Sequence, residues 1–184
     1  MSFRQMVPGL ALALSLISAA ASAAPPEQGH AAPVAGASGV LSLLPPDAVS
    51  DHVLNAEGKT IPYTATAGTL DLFAQDGQRS AAIFYTAYVA KNRDANRPVT
   101  FVFNGGPGAA SAFLNLGLVG PRIVDFGTDG RDGANAKLID NPQSWLEFTD
   151  LVLIDPIGTG WSRTAKPDDQ NNFYSVDSDA ESLA

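Results

Sequence analysis

The 184-residue chain contains no cysteine, so no disulfide can hold it together. Basic residues are scarce too: 11 Lys and Arg stand against 19 Asp and Glu, a formal charge of -8. Nucleic acid and anionic membrane both require a basic face, and this balance argues against both as partners. The N-terminal apolar run, residues 7–21, is shorter than the about 20 residues a transmembrane helix needs. It follows the single charge of Arg4 and passes through Leu10, Leu12, Leu14, Leu16 and Ile17. It closes on Ala21-Ser22-Ala23, small residues at the spacing a signal peptidase reads, and Pro25 and Pro26 come next. Residues 1–23 are therefore read as a signal peptide, which implies an exported, periplasmic or extracellular protein without a membrane anchor after cleavage.

With 45% hydrophobic and 16% charged residues, the remainder has an ordinary globular composition and room for one domain of modest size. Residues 24–50, rich in Ala, Pro, Gly and Ser and without period, read as a linker. The folded body is expected over 51–184. Residues 59–73 alternate loosely, an Asp76-Gly77 turn follows, and 80–90 form an aromatic and β-branched run, the pattern of an antiparallel meander. The short apolar runs VTFVF at 99–103 and LVLI at 151–154 read as strands buried on both faces. Helical turns are expected at 109–119 and 142–148, with a Gly- and Asp-rich turn at 127–133. Ser178 and Glu181 have the spacing of a capping box for a last helix. Together these elements predict a mixed α/β sheet.

Asn104-Gly105-Gly106-Pro107-Gly108 follows VTFVF directly. Three glycines and a proline in five residues can neither continue the strand nor start a regular helix. The loop must turn sharply and leaves backbone N–H groups uncovered at the end of a strand, where they can meet a negative oxygen. A phosphate-binding loop would need a lysine and a hydroxyl residue after its last glycine, but Ala109 and Ala110 stand there. The dinucleotide fingerprint fails as well, since Ser111 occupies its third glycine. A plain tight turn remains the alternative on the loop alone.

Two further motifs give the loop a context. Asn141-Pro142-Gln143-Ser144-Trp145 precedes the second apolar strand, and Asp155-Pro156-Ile157-Gly158-Thr159-Gly160-Trp161-Ser162 follows it. With Gly120-Pro121 between, their order resembles the serine carboxypeptidase family, most clearly over 99–162. The resemblance implies an α/β-hydrolase fold, here its N-terminal part, with a mostly parallel mixed sheet preceded by the antiparallel meander. It implies a Ser-Asp-His mechanism on peptide substrates with no metal and no organic cofactor. It assigns Asn104 and the Gly105 backbone to the substrate's C-terminal carboxylate and the Gly106 N–H to the oxyanion hole. Asp155 and Ser162 are expected to be structural, bracing the loop and bonding nearby backbone.

No Gly-x-Ser-x-Gly elbow occurs in the chain, and the two histidines, His30 and His52, precede every position the family's serine–acid–histidine order allows. The expected nucleophile, acid and base are thus not in this sequence, which reads as an incomplete, bacterial-type member that is inactive alone. Ser111 has no elbow around it and reads as a helix or loop residue. Ala109 replaces a cysteine frequent after the glycine loop in eukaryotic members. Leu118 stands two residues before Gly120-Pro121, where carboxypeptidases place an acidic residue that helps bind the carboxylate. The alternatives are a proline-releasing aminopeptidase or esterase of the same fold, and a binding protein that kept the loop without the triad. Aminopeptidases of this type begin the loop with histidine, so Asn104 favours the carboxypeptidase.

Overall fold

The computed structural model describes residues 39–91, 94–105, 108–127 and 133–183. The signal segment, the linker as far as residue 38, His30, Gly106 and Pro107 lie outside the described residues, as does most of the Gly- and Asp-rich turn. Two described elements reach into the 24–50 segment read as a linker. A 3-10 turn, Gly39–Leu43, precedes the first strand, and Leu41 within it is buried.

Three long antiparallel strands form the meander: β1 (Ala48–Ala56), β2 (Lys59–Phe73) and β3 (Arg79–Ala90). Glu57 and Gly58, both at positive φ, make the tight turn between β1 and β2. Strand β4 (Val99–Phe103) leads to α1 (Ala112–Leu114), which widens into a π turn, Asn115–Val119. A hairpin of β5 (Arg122–Asp125) and β6 (Lys137–Asp140) follows. The chain then passes a 3-10 turn, Trp145–Glu147, into β7 (Asp150–Ile154) and the two-residue β8 (Arg163–Thr164). A further 3-10 stretch, Pro167–Phe173, precedes α2 (Val176–Leu183). The main sheet runs β1-β2-β3-β7-β4, with β8 against β3. All its pairings are antiparallel except β4 with β7, where Phe103 lies beside Ile154.

The period of two along β7 builds two cores. Leu151 and Leu153 face a cluster with Leu54, Tyr63, Val102, Val119 and Leu146. On the opposite face Val152 and Ile154 pack with Ala81, Ile83 and Ile157. Burial in the first cluster raises the Tyr63 phenol to about 12 and raises the Tyr88 phenol as well.

Strand β7 is thus buried on both faces, as LVLI implies. Strand β4 is not. Thr100 and Val102 turn inward, while Val99, Phe101 and Phe103 are 49%, 60% and 41% exposed. The helical turns 112–119 and the segment around Leu146 cover only one face of this edge strand, and among the described residues nothing covers the other. The last helix also differs from its capping signature. It starts at Val176, so Ser175 is its N-cap and accepts the Ser178 N–H at 3.1 Å, while the two hydroxyls meet at 2.7 Å. Ser178 is the third helical residue rather than the cap.

Candidate active site

The glycine loop leaves the carboxyl end of β4, and the loop after β7 leaves the carboxyl end of the parallel neighbour. Register brings the two exits side by side, since Phe103 and Ile154 are the last paired residues. Asn104 is half-buried and Gly105 exposed. The Asn104 N–H donates to Ser111 Oγ at 3.2 Å, and its Nδ2 donates to the Gly105 carbonyl at 3.1 Å. Gly108 closes the turn at φ +95°. The structure thus places Asn104 and Gly105 at the carboxyl end of the sheet, with Gly105 and Gly108 exposed.

Ser111 is 2% exposed and ties this turn to both strands. Its hydroxyl donates to the Ile154 carbonyl of β7, and the Val102 carbonyl of β4 lies 3.5 Å away. Its N–H donates to Asp155 Oδ1 at 2.8 Å, while Asp155 Oδ2 accepts the Trp161 N–H at 3.3 Å. A buried carboxylate must be compensated by donors, and these two N–H groups provide that. Ser162, fully buried, donates to the Asp155 carbonyl at 2.6 Å and accepts the Phe84 N–H at 2.8 Å. Asp155 and Ser162 therefore brace loops, as their motif implies. Ser111 is more than a loop residue, and sequence reasoning missed it. The only signal available was a lone polar residue among Ala109, Ala110 and Ala112 directly after a glycine turn.

The remaining motif residues hold the other side. Asn141 Nδ2 donates to the carbonyls of Leu118 and Gly120, each at 2.8 Å, and its own N–H reaches the Pro121 carbonyl at 3.0 Å. Ser144 Oγ donates to the Val119 carbonyl at 3.1 Å and accepts the Leu146 N–H at 3.2 Å. Asn141 and Ser144 thus fix the end of the π turn and the Gly-Pro corner, which explains why the two motifs occur together. Leu118 lies on that turn and is 55% exposed. His52 is far in sequence and role: it sits exposed on β1, bonded to Ser50 at 2.7 Å and stacked on Tyr63. Trp161 lines an apolar cavity of about 180 Å³ together with Pro45, Pro46 and Phe84.

An antiparallel meander feeding a parallel strand pair, with a glycine turn at the pair's carboxyl end, is the partial sheet of an α/β-hydrolase. The family model for serine carboxypeptidase matches residues 59–183, and the chain belongs to that family. It is 33% identical over 84 residues to a carboxypeptidase Y homolog of Arthroderma benhamiae, covering 45% of this chain and 16% of that protein. Over 116 residues it is 34% identical to a pheromone-processing carboxypeptidase of Cryptococcus gattii, covering 62% and 16% respectively. A crystal structure of a prohormone-processing carboxypeptidase from Saccharomyces cerevisiae superposes with a TM-score of 0.43 at 33% identity, covering 55% of this chain and 21% of that one. The chain spans a quarter or less of the length of the curated relatives it matches.

Proposed function

We propose that the chain supplies the oxyanion and carboxylate-binding turn of an exported, bacterial-type serine carboxypeptidase, which removes residues from peptide C-termini by acyl transfer to a serine and then to water. The observation that carries this reading is the placement of Asn104 and Gly105 at the carboxyl end of the parallel pair, with Asn104 stitched through Ser111 to the loop after β7. In this reading Asn104 and the Gly105 backbone receive the substrate's terminal carboxylate. The Gly106 N–H meets the oxyanion as the scissile carbonyl becomes tetrahedral, where one donor is worth on the order of 10²–10³ in rate. Asn104 at the head of the turn keeps the reading on the carboxypeptidase side. No Gly-x-Ser-x-Gly elbow occurs in these 184 residues, so in this reading they contribute binding groups and no nucleophile. Export rests on the apolar segment at 7–21 and the small-residue site after it.

The test uses N-acetyl-L-phenylalanine, which has a free carboxylate, and its neutral amide as control. The carboxylate should shift the Asn104 and Gly105 amide resonances of the labelled chain, the neutral amide should not, and Asn104→Ala should weaken binding about tenfold. Equal binding of both compounds would remove the carboxylate role. The chain alone should neither hydrolyse an N-blocked dipeptide nor take up a fluorophosphonate. Turnover sensitive to that reagent would overturn the division of the site.

A further inference from the structure

The buried polar groups of this end of the sheet converge on one hydroxyl. Ser111 Oγ has a single proton and two acceptor lone pairs. The proton goes to the Ile154 carbonyl and one lone pair takes the Asn104 N–H. The same residue's N–H is held by Asp155, whose second oxygen holds Trp161. Ser111 therefore joins the exits of β4 and β7 at the residue where the glycine turn begins. Without it, the Asn104 N–H and the last carbonyl of β7 lose the hydroxyl that joins them, and Ile154, at 7% exposed, is poorly open to water.

We infer that Ser111 is the positioning residue for the start of the glycine segment: its buried hydroxyl fixes the direction in which the backbone leaves β4 at Asn104. It touches no substrate and acts only through Asn104. A glycine-rich turn has almost no side chains to hold it, so its direction must be set at its ends. Gly108 gives the far end freedom, and Ser111 supplies the constraint at the near end. Ser162, equally buried, satisfies the Phe84 N–H and the Asp155 carbonyl instead and makes no bond to Asn104. The two serines thus separate positioning from general stability. The consequence for ligand binding rests on the carboxylate reading given above.

Hydrogen exchange and probe titration of the full chain test this together. In the wild type the Asn104 amide should exchange slowly despite its place in a surface turn. Ser111→Ala should speed Asn104 exchange and weaken N-acetyl-L-phenylalanine binding, each about tenfold, and should leave the Trp161 amide as protected as before. Ser162→Ala should lower the melting temperature while leaving Asn104 exchange and probe affinity unchanged. If Ser111→Ala leaves both readouts at wild-type values, or if Ser162→Ala moves them equally, the positioning role is wrong. Should Ser111→Ala fail to fold, the wild type decides: an Asn104 amide exchanging as fast as exposed loop amides overturns the inference. A wild type with a protected Asn104 that Ser111→Ala releases, but with no carboxylate-specific shift, supports the positioning and sinks the carboxylate reading alone.

Discussion

At Gly160 a side chain has nowhere to go. A Cβ there would run into the Asp155 carboxylate and crowd Ala110, and the residue sits at φ +47°. This glycine lets the loop after β7 fold back so that the Trp161 N–H reaches Asp155. Gly77 also has a positive φ, +78°, but a Cβ there would meet nothing within 4 Å. The pair separates backbone strain from collision. Gly77→Ala should cost about 1 to 2 kcal/mol, the price of the left-handed conformation. Gly160→Ala adds overpacking against a buried charge and should cost about 3 kcal/mol or more. Denaturant melts of both variants check this, and equal losses would mean that Asp155 moves aside freely. Residues of this kind were legible only as motif letters. The spacing of Asp155, Gly160 and Ser162 was visible, but the contacts that require it join residues up to 78 positions apart.

Among the elements, β2, β3 and β7 were legible because alternation or continuous apolarity runs over their whole length. The β5–β6 hairpin was not, since its four-residue strands flank a turn dominated by Gly and Asp and carry little pattern. Its attachment is electrostatic. Arg122 and Asp140 pair across the hairpin, and Asp140 Oδ2 also accepts the backbone N–H and the side-chain amide of Asn55 on β1, at 3.3 and 3.4 Å. Burial opposes ionisation of Asp140, but the Arg122 guanidinium and the Asn55 donors outweigh it, and the carboxyl lies below its usual range. A depressed folded pKa stabilises the fold above the unfolded value, and the contribution disappears as pH falls through the folded one. Asp140→Asn should therefore destabilise the fold at pH 7, by less than about 1 kcal/mol because Arg122 is part-exposed. The difference from wild type should close as the pH drops below about 4. A difference that persists at low pH would assign the effect to packing instead.

For the whole molecule, the two edges of the main sheet are unlike. Strand β1 is mostly exposed but carries Ser50, Asp51 and His52 in its middle, and Asp51 pairs with Lys91 at 2.6 Å. Charge of this kind blunts an edge against pairing with another chain. Strand β4 has no charged residue, and its uncovered face presents Val99, Phe101 and Phe103 in a row. The apolar composition of VTFVF signalled burial on both faces, and the structure supplies cover for only one. The sequence pattern records the environment a strand is suited to, whereas the exposure of Phe101 shows which part of that environment these residues provide. The open face should govern the solution behaviour of the chain. Phe101→Glu should raise the concentration at which the chain associates by about tenfold or more, since burying one phenylalanine is worth about 1.5 to 3 kcal/mol. Val49→Glu on β1 should change it little, although Val49 is equally exposed at 59%. Light scattering against concentration distinguishes the two. If both substitutions suppress association alike, the driving force is general surface apolarity. If only Phe101→Glu does, the bare face of β4 is the surface through which copies of this chain meet.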